Sequence, residues 1–151
     1  LNPIYVGFKV LLTEEKGIVP KTSCIAQIGF PNAASSPYKT AYFAPEFRLV
    51  MQHSLSEKLA FSYNLGAEWD GFSAVPTYIY TAATGYSITK KTGVYFEVFG
   101  FIPQQQKPSH NLDGGITYLI NNNLMLDLSS SIGISKNAPK NYFAFGFSFR
   151  L

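Results

Sequence analysis

Within the strand-like runs of this 151-residue chain, charge is confined to Lys9, Glu46, Arg48, Glu68, Asp70, Glu97, Asp113, Asp127 and Arg150. Every one of them has the polar parity of its run. Isolated acids and cations on one face can line a water-filled passage and select what enters it. They can also pair and plug a narrow one, because charge in a confined space is costly unless paired. Both readings stand at this point. Placed by distance from a turn, Glu68, Asp70, Glu46 and Asp113 fall toward one end of the polar face. Arg150, Asp127 and Glu97 fall toward the other, with Lys9 and Arg48 near the middle. The first reading gives an acidic mouth above a basic constriction, and the second a set of paired charges filling the interior.

Nucleophilic chemistry would require a serine or cysteine beside a histidine on one face. His53 has the apolar parity and reads as an interfacial ring, while its neighbour Ser54 points the other way. His110 reads as part of a loop near Asp113, at a spacing that chance supplies readily. The single cysteine, Cys24, permits neither an intrachain disulfide nor a structural zinc site. No catalytic residue, cofactor or metal is expected, and the chain reads as a non-enzyme. The adjacent pair Lys90 and Lys91 reads as a solvated turn.

These residues need elements to position them, and the clearest is the last. From Phe143 through Phe145, Phe147, Phe149 and Leu151 every second position is large and apolar, against Ala144, Gly146, Ser148 and Arg150. A period of two is a β-strand. The same alternation recurs in Ile4 to Thr13, Thr22 to Phe30, Tyr42 to Leu55, Leu59 to Asp70, Tyr78 to Ile88, Val94 to Ile102, Leu112 to Ile120 and Leu124 to Ser135. Pro45 removes a ladder donor, so it belongs near a strand end or at a bulge. Nine strands in succession with no helix predict a meander of antiparallel hairpins.

Composition narrows the surroundings. Charged residues make up 14% of the chain and aromatics 16%, which is poor in charge for a water-soluble domain. The net charge of +3 comes without a basic run or arginine stripe, so nucleic acid is not a partner. No stretch reaches the roughly 18 apolar residues of a membrane-spanning helix, and there is no N-terminal signal peptide.

The apolar face of the strands carries no charge, as a lipid-facing surface requires. A soluble core would require the same, so the other face must discriminate. It is mostly Gly, Ala, Ser, Thr and Asn, residues suited to a confined lumen rather than to a water-facing surface. Apolar-face aromatics also gather near strand ends, with Phe30, Trp69 and Tyr78 toward one rim and Phe61, Tyr86, Tyr118 and Phe149 toward the other. Two such girdles mark the interfaces of a bilayer. Connections after the third, fifth and seventh strands are short turns. Those after the second, fourth, sixth and eighth are longer loops, the last being the shortest, and Glu14 to Pro20 is longer than its class implies. The expectation is an all-β, antiparallel up-and-down transmembrane β-barrel. Nine strands are visible, and ten or twelve belong to the full-length protein, because barrels of this kind have even strand numbers. The chain, residues 1–151, then reads as a single barrel domain lacking its N-terminal strand or strands.

The segments Glu14-Glu15-Lys16-Gly17, Tyr63-Asn64-Leu65-Gly66-Ala67-Glu68-Trp69-Asp70-Gly71 and Asp113-Gly114-Gly115-Ile116-Thr117-Tyr118-Leu119 carry a resemblance, together with the Phe-rich last strand. The sequence resembles the outer-membrane transporters grouped as "MetA-pathway of phenol degradation" proteins. That resemblance covers most of the chain. It implies a bacterial outer-membrane barrel of about a dozen strands, passing small solutes passively, and it offers no catalytic motif. The last strand is similar to the signal that barrel-assembly machinery reads, although such signals usually end in an aromatic and this one ends in Leu151. The expected partners are outer-membrane lipid, a small-molecule solute and other outer-membrane or periplasmic proteins. The alternative is a structural or accessory barrel with a closed lumen, a subunit of a larger complex. A soluble lipocalin-like binding barrel is the third reading.

Overall fold

The computed structural model describes residues 3–150. Nine strands follow in chain order: β1 (Tyr5–Thr13), β2 (Lys21–Gly29), β3 (Ala44–Ser54), β4 (Leu59–Glu68), β5 (Thr77–Ser87), β6 (Thr92–Pro103), β7 (Ser109–Asn121), β8 (Leu124–Gly133) and β9 (Asn141–Phe149). Each pairs with its sequence neighbours in one antiparallel sheet ordered β1 to β9. The sheet is not closed, so β1 and β9 are its edges and these strands by themselves do not make the expected barrel. Pro45 is the second residue of β3, where a missing N–H is tolerated. The loop after β2 contains one short 3-10 turn, Ser36–Tyr38, with Pro37 in its first turn.

Hydrophobic alternation located every strand but missed several ends. β4 stops at Glu68, and Asp70 lies in the following loop. β9 stops at Phe149. Arg150 comes after it, donating its N–H to the Asn123 carbonyl (2.9 Å) and its guanidinium to the Asn122 carbonyl (3.3 Å) of the β7–β8 turn. Leu151, the last member of the apolar file, lies outside the described residues. His110 sits inside β7 rather than in a loop, because its carbonyl accepts from the Ile134 N–H and its own N–H donates to Ser135 Oγ. That pairing lengthens β7 backward, so the shortest of the long loops follows β6 (104–108) and not β8 (134–140).

The short turns share a device. After β3, Ser56 Oγ accepts the N–H groups of Lys58 and Leu59. After β5, Thr89 Oγ1 accepts those of Lys91 and Thr92, and after β7, Asn121 Oδ1 accepts that of Asn123. Each side chain replaces a ladder partner that the reversing backbone cannot supply. The β1–β2 connection is tighter than its length suggests. Lys16 and Val19 exchange both backbone hydrogen bonds at 3.0 Å around Gly17, whose φ of +59° suits the first central position of a two-residue hairpin turn.

Burial is inverted relative to a water-soluble domain. Phe143, Phe145, Phe147 and Phe149 are 64–78% exposed, and Val6, Phe8, Phe47, Leu65, Phe96, Leu128 and Ile132 are more than half exposed. Among the described residues the buried hydrophobic side chains are Ala44 and Ile79, at 1% and 5%. These two and the buried polar residues, Asn111, Asp113, Ser129 and Ser131, all have the parity opposite to the exposed apolar files.

The chain forms two compact units. One gathers β1, β2 and nearly all of β3 with Asn64–Tyr80 and Phe101–Lys107; the other gathers His53–Tyr63, Thr81–Gly100 and the chain from Pro108 onward.

Candidate functional site

In the unit built on β1–β3, the polar face carries a charge network. Glu46 and Arg48 are two residues apart on β3, so both project from the same face. Gln27 stands opposite Glu46 in the β2–β3 register. Its side-chain amide donates to Glu46 Oε2, while Arg48 Nε donates to Glu46 Oε1. Arg48 also reaches toward β4, where its Nη2 lies 3.9 Å from Glu68 Oε2. The neighbouring strand makes room for it with Gly66: a Cβ there would meet the Phe47 carbonyl at 2.5 Å and Arg48 Cγ at 3.0 Å. The Glu46 side chain is only 12% exposed, so this is a half-buried, neutralised pair with Glu68 as a third member. Beside it a cleft of about 200 Å³ is lined by Tyr5, Pro45, Glu46, Glu68, Trp69, Asp70 and Thr77.

Asp70 has a different task. Its Oδ1 accepts the N–H groups of Phe72 (2.8 Å) and Ser73 (2.9 Å), closing the loop after β4. Those two backbone donors hold its carboxyl below the ordinary aspartate range. The carboxylate is therefore favoured in the ordered loop. Its contribution is complete above the ordinary aspartate range and is lost as pH falls through the lowered value. Acid titration of the folded protein, followed by the amide shifts of Phe72 and Ser73, should give a midpoint below that of an unstructured aspartate. Asp70→Ala should abolish the transition, and a midpoint at or above the ordinary value would contradict the cap.

The second unit holds the other acids. Register aligns Asp113 of β7 with Ser131 of β8 and Tyr142 of β9, then Gly115 with Ser129 and Ala144, then Thr117 with Asp127 and Gly146. Tyr142 reaches across the first row and donates its hydroxyl to Asp113 Oδ2 at 2.7 Å. Ser131 Oγ donates to the Leu112 carbonyl. Glycines again face large side chains. A Cβ on Gly115 would lie 2.7 Å from the Tyr95 ring, and one on Gly146 would lie 2.6 Å from Asp127 Oδ1. Glu97, on β6, is half-buried. A larger cleft, about 380 Å³, opens beside the turns after β3 and β5, where hydroxylated residues such as Ser54, Ser87, Thr117 and Tyr95 mix with the charged Glu57 and Lys58 and with the apolar Leu59 and Val94.

Of the expected lining residues, Glu46, Arg48 and Glu68 are brought together. Lys9 lies on the exposed edge strand β1, and Asp70 and Arg150 lie outside strands. Alternation gave no sign of Gln27, Tyr95, Ser131 or Tyr142 as partners. The available signal was parity, since a tyrosine among small residues on the polar side needs something to bond.

Aromatic rings of the apolar parity occur in both units. Phe30 packs edge-on against Phe43 (5.6 Å) and Trp69 against Phe47 (6.3 Å), with Trp69 Nε1 donating to the Ala74 carbonyl at 3.0 Å. In the other unit Phe61 lies 5.6 Å from Tyr63, which stacks on His53 at 6.1 Å. Tyr78, Tyr86, Tyr118 and Phe149 are exposed. A shallow groove of about 320 Å³ on the apolar side of β1–β3 is lined by Val6, Phe8, Ala26, Ile28, Pro45 and Phe47 together with Gly7 and Gln27.

Fold and polarity thus define a class: an all-β protein of one antiparallel sheet whose apolar face is bare and whose buried side chains, among the described residues, lie on the polar face. The chain belongs to the family described as "Putative MetA-pathway of phenol degradation", which matches residues 1–151. No curated protein matches it.

Proposed function

We propose that the protein is a β-barrel of the bacterial outer membrane that lets small solutes pass along its polar face. The observation that carries this reading is the inverted burial, with the phenylalanine file of β9 bare and Asp113, Ser129 and Ser131 enclosed. Lipid is the environment in which bare apolar strands are stable. Unpaired strand edges are not tolerated in hydrocarbon, so closure into a barrel is part of the proposal. The phenol-degradation description of the family favours small aromatic compounds as solutes. The cleft of about 380 Å³, with hydroxyls on its walls, is of a size to take one ring. The pathway is passive, and the polar side chains line it rather than catalyse.

One observation favours a second reading. The Gln27–Glu46–Arg48–Glu68 network ties three adjacent strands together across the polar face, as a filled lumen would. A structural barrel that serves as a subunit of an envelope complex would need no more. Solute uptake by liposomes containing the full-length protein separates the two. A size cut-off is expected for a passage, whereas a folded, heat-modifiable protein that admits nothing beyond empty liposomes would favour the sealed form.

A further inference from the structure

Two sets of acids face the polar side, and only one has a cation among its members. Arg48 neutralises Glu46 and approaches Glu68. Among the described residues no lysine, arginine or histidine lies within ion-pair distance of Glu97, Asp113 or Asp127. Asp113 is the centre of this second set. It is 7% exposed, its Oδ2 is taken by the Tyr142 hydroxyl, and its Oδ1 is buried with no hydrogen-bond partner. The other hydroxyl in its row, Ser131, is committed to the Leu112 carbonyl. The Tyr95 hydroxyl also faces Asp113, as well as Ser129, and lies within electrostatic reach of Asp127, and Glu97 lies within reach of Asp113. A buried carboxylate oxygen with nothing to accept from is costly. Such a site is completed by a positive ligand.

We propose that Asp113, with Glu97 near it, holds a monovalent cation in passage, so that the protein admits small cations in preference to anions. The selectivity rests on the transport reading above; the binding site does not. The donor set decides the charge of the ion. Among the described residues no group of three or more acid, histidine or cysteine side chains converges closely enough to hold a metal ion. A divalent cation would need such a cage of oxygens. One free carboxylate oxygen, flanked by phenol groups, suits a weakly held ion that keeps part of its water. Weak binding is also what conduction requires. Of the acids expected at the mouth, Glu46 and Glu68 share Arg48 and Asp70 caps a loop, which leaves Asp113 as the one with no cation beside it.

The test uses the full-length protein in planar bilayers under a NaCl gradient, paired with sodium-23 line broadening of the detergent-solubilised protein. Asp113→Asn keeps an oxygen for Tyr142 and removes the charge. The wild type should give a reversal potential of cation sign. Asp113→Asn should lower the cation-to-anion permeability ratio about 25-fold, because one unit charge at about 4 Å in water favours a monovalent cation about fivefold and disfavours an anion about fivefold. Glu97→Gln should act in the same direction and serves if Asp113→Asn does not fold, while Glu14→Gln, on an exposed hairpin, should leave the ratio unchanged. Folded variants with wild-type selectivity would overturn the proposal. If the wild type conducts nothing, the transport reading falls and line broadening decides the site: broadening lost in Asp113→Asn sustains it, and none in the wild type ends it.

Discussion

Leu128→Arg is expected to lower the stability of the protein in a lipid bilayer by about 2–4 kcal/mol. Leu128 is mid-strand in β8, faces Phe145 of β9 in register, and is 53% exposed. On a surface bathed in water, the same change at a half-exposed leucine shifts stability by about 0.5 kcal/mol or less. The size of the effect therefore reports the solvent. Position along the strand adds an internal control. Leu124, on the same face at the turn end of β8, should tolerate arginine at a cost of about 0–1 kcal/mol, because a charge near the interface reaches water. Denaturant titration of the reconstituted proteins measures both, and small, equal losses would speak against a lipid-facing strand.

Arg48→Met is the second large effect. It leaves Glu46 and Glu68 as like charges without their cation, and Glu46 in particular is poorly solvated. Breaking a fully buried pair costs roughly 3–5 kcal/mol. The Arg48 side chain is 33% exposed and Glu68 similarly so, and water screens part of that, so a loss of about 2 kcal/mol is expected. The cause can be isolated. Adding Glu46→Gln and Glu68→Gln to Arg48→Met should recover most of the loss, since no uncompensated charge remains. A loss that persists in the triple variant would instead assign the effect to packing of the arginine stem over Gly66.

The alternation of Phe143 to Phe149 made β9 legible in the sequence, and the same period located all the other strands. Parity also separated the bare face from the enclosed one correctly, because side-chain direction in a strand depends on nothing beyond position. The ends were less visible. Asp70 and Arg150 have the right parity for strand residues, yet each bonds backbone groups of a turn, a preference that alternation cannot register. The site was half legible. Glu46 and Arg48 declare themselves as neighbours on one face. That Tyr142 reaches Asp113, or that Tyr95 lies over Gly115, depends on register across strands, which the sequence of any one strand does not contain. Gly66, Gly115 and Gly146 were the missed signal: each leaves room for a large side chain on the strand beside it.

Trp69 offers the most direct measurement of whether the apolar face meets lipid. It is the sole tryptophan of this sequence, lies just beyond β4, and packs its ring against the exposed Phe47 while its indole N–H is satisfied by the Ala74 carbonyl. In the proposed barrel an indole so held belongs at the membrane interface, with its ring toward the acyl chains. In liposomes of brominated lipid, its fluorescence should be quenched, and more strongly by bromines near the headgroups than by bromines deep in the acyl chains. Unquenched emission, from protein that stays folded and monodisperse without detergent, would mean that this face meets water or another protein and would contradict the membrane account.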